Sequence, residues 1–108
     1  MFASIRVISG SRVPRGYQQI TSISSATGLT VPVVANIYVG YVVIRVEYVS
    51  GGTNSVSVAR WRDDGVDPTS SVGMPINSGE ELDYSGDLTK LKFIDASGVS
   101  ILNCAYYS

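Results

Sequence analysis

Throughout this chain, runs rich in Val, Ile, Tyr and Thr recur between turn-forming residues, and no stretch repeats its apolar side chains with the 3.6-residue period of a helix. β-branched and aromatic side chains suit a pleated, half-buried surface, so the class is all-β. The strongest instance is "YVVIRVEYV" (41–49). There Val42, Ile44, Val46 and Tyr48 share one face, and Tyr41, Val43, Arg45, Glu47 and Val49 share the other. An Arg and a Glu two residues apart mark the second face as a partly covered surface.

The other runs read as shorter strands. "FASIRVI" (2–8) alternates well, and "SGSRVPRG" after it reads as a loop, because Gly10, Pro14 and Gly16 do not suit the interior of a ladder. "YQQITSIS" (17–24) reads as a half-exposed strand, with Ile20 opposite in phase to Tyr17, Gln19, Thr21 and Ile23. "SGGTN" (50–54) is short enough to close an antiparallel hairpin onto "SVSVARWR" (55–62), with Asn54 and the paired glycines supplying positive φ. Within that strand Ser57, Ala59 and Trp61 lie opposite Val56, Val58, Arg60 and Arg62, which points Trp61 inward. "MPI" (74–76), "EELDYS" (80–85), "LTKLKFI" (88–94) and "VSILNCAYY" (99–107) follow, with Leu91 and Phe93 alternating against Lys90 and Lys92. "NSG", "SGD" and "DASG" between them are hairpin-type punctuators. The sum is about seven to nine short strands in an antiparallel β-sandwich or jelly-roll-like domain, or else a small barrel.

A chain of 108 residues makes one domain, burying about two thirds of its extended surface. Its net charge of −1 offers no electrostatic footprint for nucleic acid or an anionic membrane. The charge is uneven, however: residues 1–50 hold four Arg against one Glu, a net of +3, and the remainder holds four basic and eight acidic groups, a net of −4. A single cysteine excludes an internal disulfide, and Cys104 within "SILNCAYY" reads as a small buried hydrophobe. Absence of histidine removes the Ser-His-Asp triad and the easiest general base. Catalysis and a bound cofactor are therefore not expected. "MFASIRVISGSR" shows neither a basic leader nor an apolar run of signal-peptide length, and no stretch reaches the roughly 18 apolar residues of a membrane span. Synthesis in a cytoplasm, with no membrane partner, is the expectation.

The densest chemistry lies in "RWRDDGVDPTSSVGMP" (60–75). Asp63, Asp64 and Asp67 beside hydroxyls and a glycine are oxygen donors of the kind calcium takes, but their spacing is not that of the D-x-[DN]-x-[DN]-G loop. Asp-Gly and Asp-Pro-Thr are also ordinary turn-makers, with the carboxylate accepting from the backbone two residues on, and Asp63 or Asp64 can pair with Arg60 or Arg62. Turn chemistry is the expected role, with no metal assigned. A carboxylate pair for glycoside hydrolysis would draw on Glu80 or Glu81 with Asp83 or Asp87, but acidic residues beside tight turns are usually solvated. The seven tyrosines suit the rim of a sandwich, and equally a protein contact or a sugar-binding platform.

Taken together, "WRDDG" (61–65), "PT" (68, 69), "GMP" (73–75), "GEEL" (79–82), "Y-S-GDL" (84–88), "KFI" (92–94) and the closing "LN-AYY" resemble small virion structural proteins of tailed bacteriophages. The resemblance implies a β-sandwich of the capsid cement or decoration type. Such a protein would sit on the outer capsid surface as a homo-oligomer, between subunits of the major capsid protein or against other virion proteins. A tail, connector or fibre-associated component is the alternative within that class, and a carbohydrate- or calcium-binding module lies outside it. The charge asymmetry directs attention to residues 1–16 as an extended arm, with Phe2, Arg6, Arg12 and Arg15 as the expected partner contacts.

Overall fold

The computed structural model describes residues 12–53 and 57–108. The strand expected at 2–8, Asn54, Val56 and the contact residues Phe2 and Arg6 lie outside them.

Among the described residues eight strands follow one another: β1 (Pro14–Ile20), β2 (Thr27–Gly28), β3 (Tyr41–Ser50), β4 (Ala59–Arg62), β5 (Met74–Ile76), β6 (Glu81–Tyr84), β7 (Lys92–Asp95) and β8 (Val99–Tyr107). They form two four-stranded antiparallel sheets, ordered β1-β8-β3-β6 and β2-β7-β4-β5. The pairs β1·β8, β2·β7, β3·β6 and β4·β5 are those of one long antiparallel ribbon folded back on itself. Rolling that ribbon until β3 meets β8 and β4 meets β7 gives the jelly-roll order. The protein is thus an all-β antiparallel sandwich.

Between the sheets lies one apolar core. From β3 come Val42, Ile44 and Val46, from β8 Leu102, Cys104 and Tyr106, and from the facing sheet Ala59, Leu91 and Phe93 on or beside their strands. Each large apolar side chain so buried contributes about 1.5–3 kcal/mol. Cys104 is fully buried, and that burial pushes its thiol up to about 12. Tyr106 is buried too, and its hydroxyl donates to Gln18 Oε1 at 2.8 Å. Ser100, the buried polar residue of the core, is satisfied by Asp95, whose Oδ1 accepts from its amide at 3.0 Å and its hydroxyl at 2.7 Å.

Several local expectations change. β1 begins at Pro14, inside the segment read as a loop, because among the described residues it is an edge strand paired with β8 alone and its register slips between Pro14 and Gly16. It ends at Ile20, and the chain then bends so that Ile23 enters the core while its carbonyl accepts from Asp95 N at 2.8 Å. The β3–β4 connection is not a hairpin: both sides of β3 are taken by β8 and β6, so the chain crosses to the other sheet. Val58 and Ala59 are both buried as it arrives, although simple alternation puts them on opposite faces. The turns at "NSG", "SGD" and "DASG" likewise cross between sheets, and among the described residues only β4 and β5 are sequence neighbours that pair. Residues 88–90 form a 3-10 turn capped by Asp87, which shortens the strand expected at 88–94; Leu91 and Phe93 still point inward.

Candidate functional site

The registers set which connections share an end of the sandwich. Pro14 pairs with Tyr107, Tyr41 with Tyr107 and Val42 with Tyr84, so in the first sheet this end holds the start of β1 and the end of β8. Gly28, Arg62 and Lys92 align in the second sheet. Residues 29–40, 63–73 and 85–91 therefore gather at one end, and 21–26, 51–53, 57–58, 77–80 and 96–98 at the other.

At the first end stands the loop singled out by its aspartates. Arg62 holds Asp64 through Nε to Oδ1 at 3.0 Å and Nη2 to Oδ2 at 2.5 Å. That bidentate contact, with Val66 N donating to the same carboxylate, lowers Asp64 to about 2. Asp63 Oδ2 accepts from the Tyr84 hydroxyl instead. Burial, and then Asp63, push that phenol up to about 12. Asp67 pairs with Lys92 at 3.2 Å. Three carboxylates thus have three separate partners, and among the described residues no group of three His, Cys, Asp or Glu is placed to hold a metal.

The two expected Asp turns are one. Asp64 makes its turn with Val66, but the second is anchored by Thr69, whose Oγ1 accepts from Ser71 N at 3.3 Å and Val72 N at 3.0 Å. Arg60 closes the loop from below, donating to the carbonyls of Ser70 at 3.3 Å and Gly73 at 2.9 Å. Trp61 is half-buried against the core and meets Tyr84 edge-on, ring centroids 6.1 Å apart, so it seals the rim rather than filling the centre. The candidate hydrolytic carboxylates are tied locally as well. Glu81 pairs with Arg45 at 2.8 Å, Glu80 accepts from Asn77 N at 2.7 Å, and Asp87 caps the 3-10 turn through Thr89, which holds its carboxyl below the usual range.

What the loop lacks in converging chemistry, its neighbour has in exposed apolar surface. Residues 29–40 fold over the end of the sandwich, with a bridge between Val34 and Ile37 and Asn36 turning at φ 62°. Val33 is 97% exposed and Tyr38 77% exposed. Together with Leu29, Val31 and Leu88 they line an open groove of about 430 Å³. Among the described residues, Val13, Val33, Ile37, Tyr38, Val66, Val72 and Met74 are exposed apolar side chains at this end, whereas Val49 and Val99 stand at the other. Soluble domains seldom gather apolar side chains so unevenly unless something covers them. In the sequence the signal of this surface is the apolar run around Pro32, which alternates like neither strand nor helix.

Of the expected contact residues, Arg12 and Arg15 are described, and both lie at this apolar end. The Arg12 guanidinium lies over the Tyr41 ring, 4.0 Å from its centroid, and Arg15 Nε donates to Ser108 Oγ at 2.7 Å. Val13 and Ser108 exchange two backbone hydrogen bonds, of 2.9 and 3.0 Å. Of the expected arm, then, Val13 is bonded to the end of the chain and Pro14, Arg15 and Gly16 belong to β1. Among the described residues no helix is long and apolar enough to cross a membrane. Compared with protein-family models, curated proteins and solved structures, the chain matches none.

Proposed function

We propose that this chain is a non-enzymatic structural component of a bacteriophage particle, of the cement or decoration type, which binds the outer capsid surface through its apolar end. The observation that carries the reading is the gathering of exposed apolar side chains around the groove at residues 29–39. A surface of that kind suits a protein partner, where the buried centre of a contact is apolar and aromatic and its rim is polar. Arg12, Arg15, Asp64 and Asp67 would supply the charged rim. The resemblance of residues 60–107 to small virion proteins and the lack of histidine in the sequence support the same reading.

The test is co-sedimentation with expanded, empty heads of the phage that carries the gene. Wild-type protein is expected to pellet with the heads, and a double variant, Val33→Asp with Tyr38→Ser, to lose about a hundredfold in affinity. Its unfolding free energy is expected to stay within about 0.5 kcal/mol of wild type, because both side chains are exposed. A second variant lacking residues 1–11 measures what Phe2 and Arg6 add. Wild-type protein that stays in the supernatant, or a double variant that pellets equally well, would overturn the proposal. Density on the tail or connector in electron cryomicroscopy of whole particles would move the protein there.

A further inference from the structure

The groove at the apolar end is framed on one side by β1. A Cβ added at Gly16 would stand 3.1 Å from Pro32 Cγ, so the groove segment lies directly against that strand. Gln18 Oε1 ties the two together, accepting from Thr30 N at 3.0 Å. Toward β3 the Tyr38 ring folds over Gly40, where a Cβ would come within 2.4 Å of it. The next residue, Tyr41, carries the Arg12 guanidinium 4.0 Å from its ring centroid. Arg12, where the described chain begins, therefore stands beside the groove.

The groove has a definite chemistry. Its lining is aliphatic apart from Pro32, Tyr38, Thr89 and Asp87, and among these lining residues Asp87 alone is charged. Thr89 holds Asp87 through Oδ1, donating from its amide at 3.1 Å and its hydroxyl at 2.6 Å, and Oδ2 takes neither bond. The complement of such a surface is an extended apolar run with one cation and no acid.

Residues 1–11 are a run of that kind. They hold no Asp or Glu, and Arg6 is the one Lys or Arg among them. In extended register Ala3, Ile5 and Val7 share a wholly apolar face, with Arg6 on the other. From Arg6 to Arg12 the backbone reaches at most about 20 Å, and the groove opens beside Arg12. A segment joined to the domain without a linker meets the groove at an effective concentration of about millimolar. That favours a chain's own segment over a second copy.

We propose that residues 2–8 dock in the groove of their own chain, with Ile5 and Val7 against its apolar lining and Arg6 at Asp87. The apolar end is thereby covered in the free protein, and a partner reaches Val33 and Tyr38 by displacing the segment. This contact is a property of the free chain and does not rest on the capsid reading.

The experiment uses the full-length, isotope-labelled chain with Ser4→Cys carrying a nitroxide, in the absence of heads. Cys104, the single native cysteine, is fully buried, so the label goes to position 4. Amide signals of Val33, Val34, Tyr38, Val39 and Leu88 are expected to lose more than about half their height relative to the reduced label, as a mostly docked segment requires. Val49 and Val99, at the far end, are expected to lose none. Val33→Asp and Ile5→Asp, which set a carboxylate on either side of the apolar contact, are each expected to restore the heights at least about twofold. Asp87→Asn, which keeps an acceptor for Thr89, is expected to restore them less. Ile5→Asp decides the matter should Val33→Asp fail to fold. Full heights at the groove, a loss centred elsewhere, or a loss that survives the carboxylate variants would each overturn the proposal. So would a loss as strong when nitroxide-bearing chains are mixed with isotope-labelled chains that lack it, which would give the groove to a second copy. Head binding is read in a separate assay, so the two proposals fail separately.

Discussion

Connections at one end of the sandwich are short and made largely of Ser, Gly and Thr, as in "TSISSA" (21–26), "NSGE" (77–80) and "ASG" (96–98), while those at the other are longer and hold Val33, Ile37, Tyr38, Val66 and Val72. The two ends solve different problems. At the small-residue end backbone amides are tied across the turns: Thr53 N donates to Ser97 Oγ at 2.9 Å, Gly52 N to the Tyr48 hydroxyl at 2.9 Å, and Ala96 N to the Val58 carbonyl at 2.9 Å. Such turns hold four sheet-to-sheet crossings in register and leave little to offer a partner. At the apolar end the strands are already closed by ion pairs and rings, and the extra length of residues 29–40 goes into surface. On the proposed reading, the first end secures the fold and the second is left for recognition.

The sharpest way to break that division is Gly98→Ala. Gly98 sits at φ 78°, and a Cβ there would lie 2.4 Å from the Ser50 carbonyl oxygen and 2.7 Å from Gly52 N. Neither backbone atom can yield without moving a crossing. The expected loss is about 3 kcal/mol by urea denaturation, and an unchanged midpoint would mean that this end does not secure the fold. A smaller effect is expected from Tyr84→Phe at the apolar end. It deletes the hydrogen bond to Asp63 while keeping the ring against Trp61, and costs about 1 kcal/mol. A loss as large as that of Gly98→Ala would place the stabilising contacts at both ends alike.

The smallest effect concerns acid. Asp64 is held near 2 in the folded chain by Arg62, below the ordinary 3.8. A carboxylate depressed in this way adds stability above pH 4 and surrenders it as pH falls toward 2. Asp64→Asn is therefore expected to lower stability slightly at pH 6 and to differ little from wild type at pH 2, with the gap closing across that window. The pair is exposed and screened, so salt at about 1 M is expected to shrink the gap further. A gap that persists at pH 2 would show that Asp64 acts through its turn with Val66 and not through its charge.

Much of the sandwich was legible in the sequence because alternation is a local property. β3 and β8 read directly from their periods, as did the inward Leu91 and Phe93. The crossings were not legible, since a turn such as "DASG" has the same residues whether it returns within one sheet or passes to another. What decides is the occupancy of the neighbouring edge, a long-range fact: β3 has no free side for β4. Pro14 and Gly16 misled for a related reason, as their cost to a ladder disappears on an edge strand. Of the candidate surfaces, the Asp loop was visible and proved to be turns and ion pairs, Arg12 and Arg15 were placed at the end with the groove, and the groove itself was missed. A strand signal is a pattern, whereas residues 29–40 matter through the absence of one.

The partnering of β1 with β8 has a kinetic side. Pro14 meets Tyr107, and β8 lies between β1 and β3, so the first sheet has no centre until residues 99–107 have been made. Pairing across so many intervening residues places folding in the slow range of all-β domains, about milliseconds to seconds. Until β8 inserts, the inner faces of β1 and β3 stand open to other chains, and a nascent copy is most vulnerable to wrong pairing before residues 99–107 are in place.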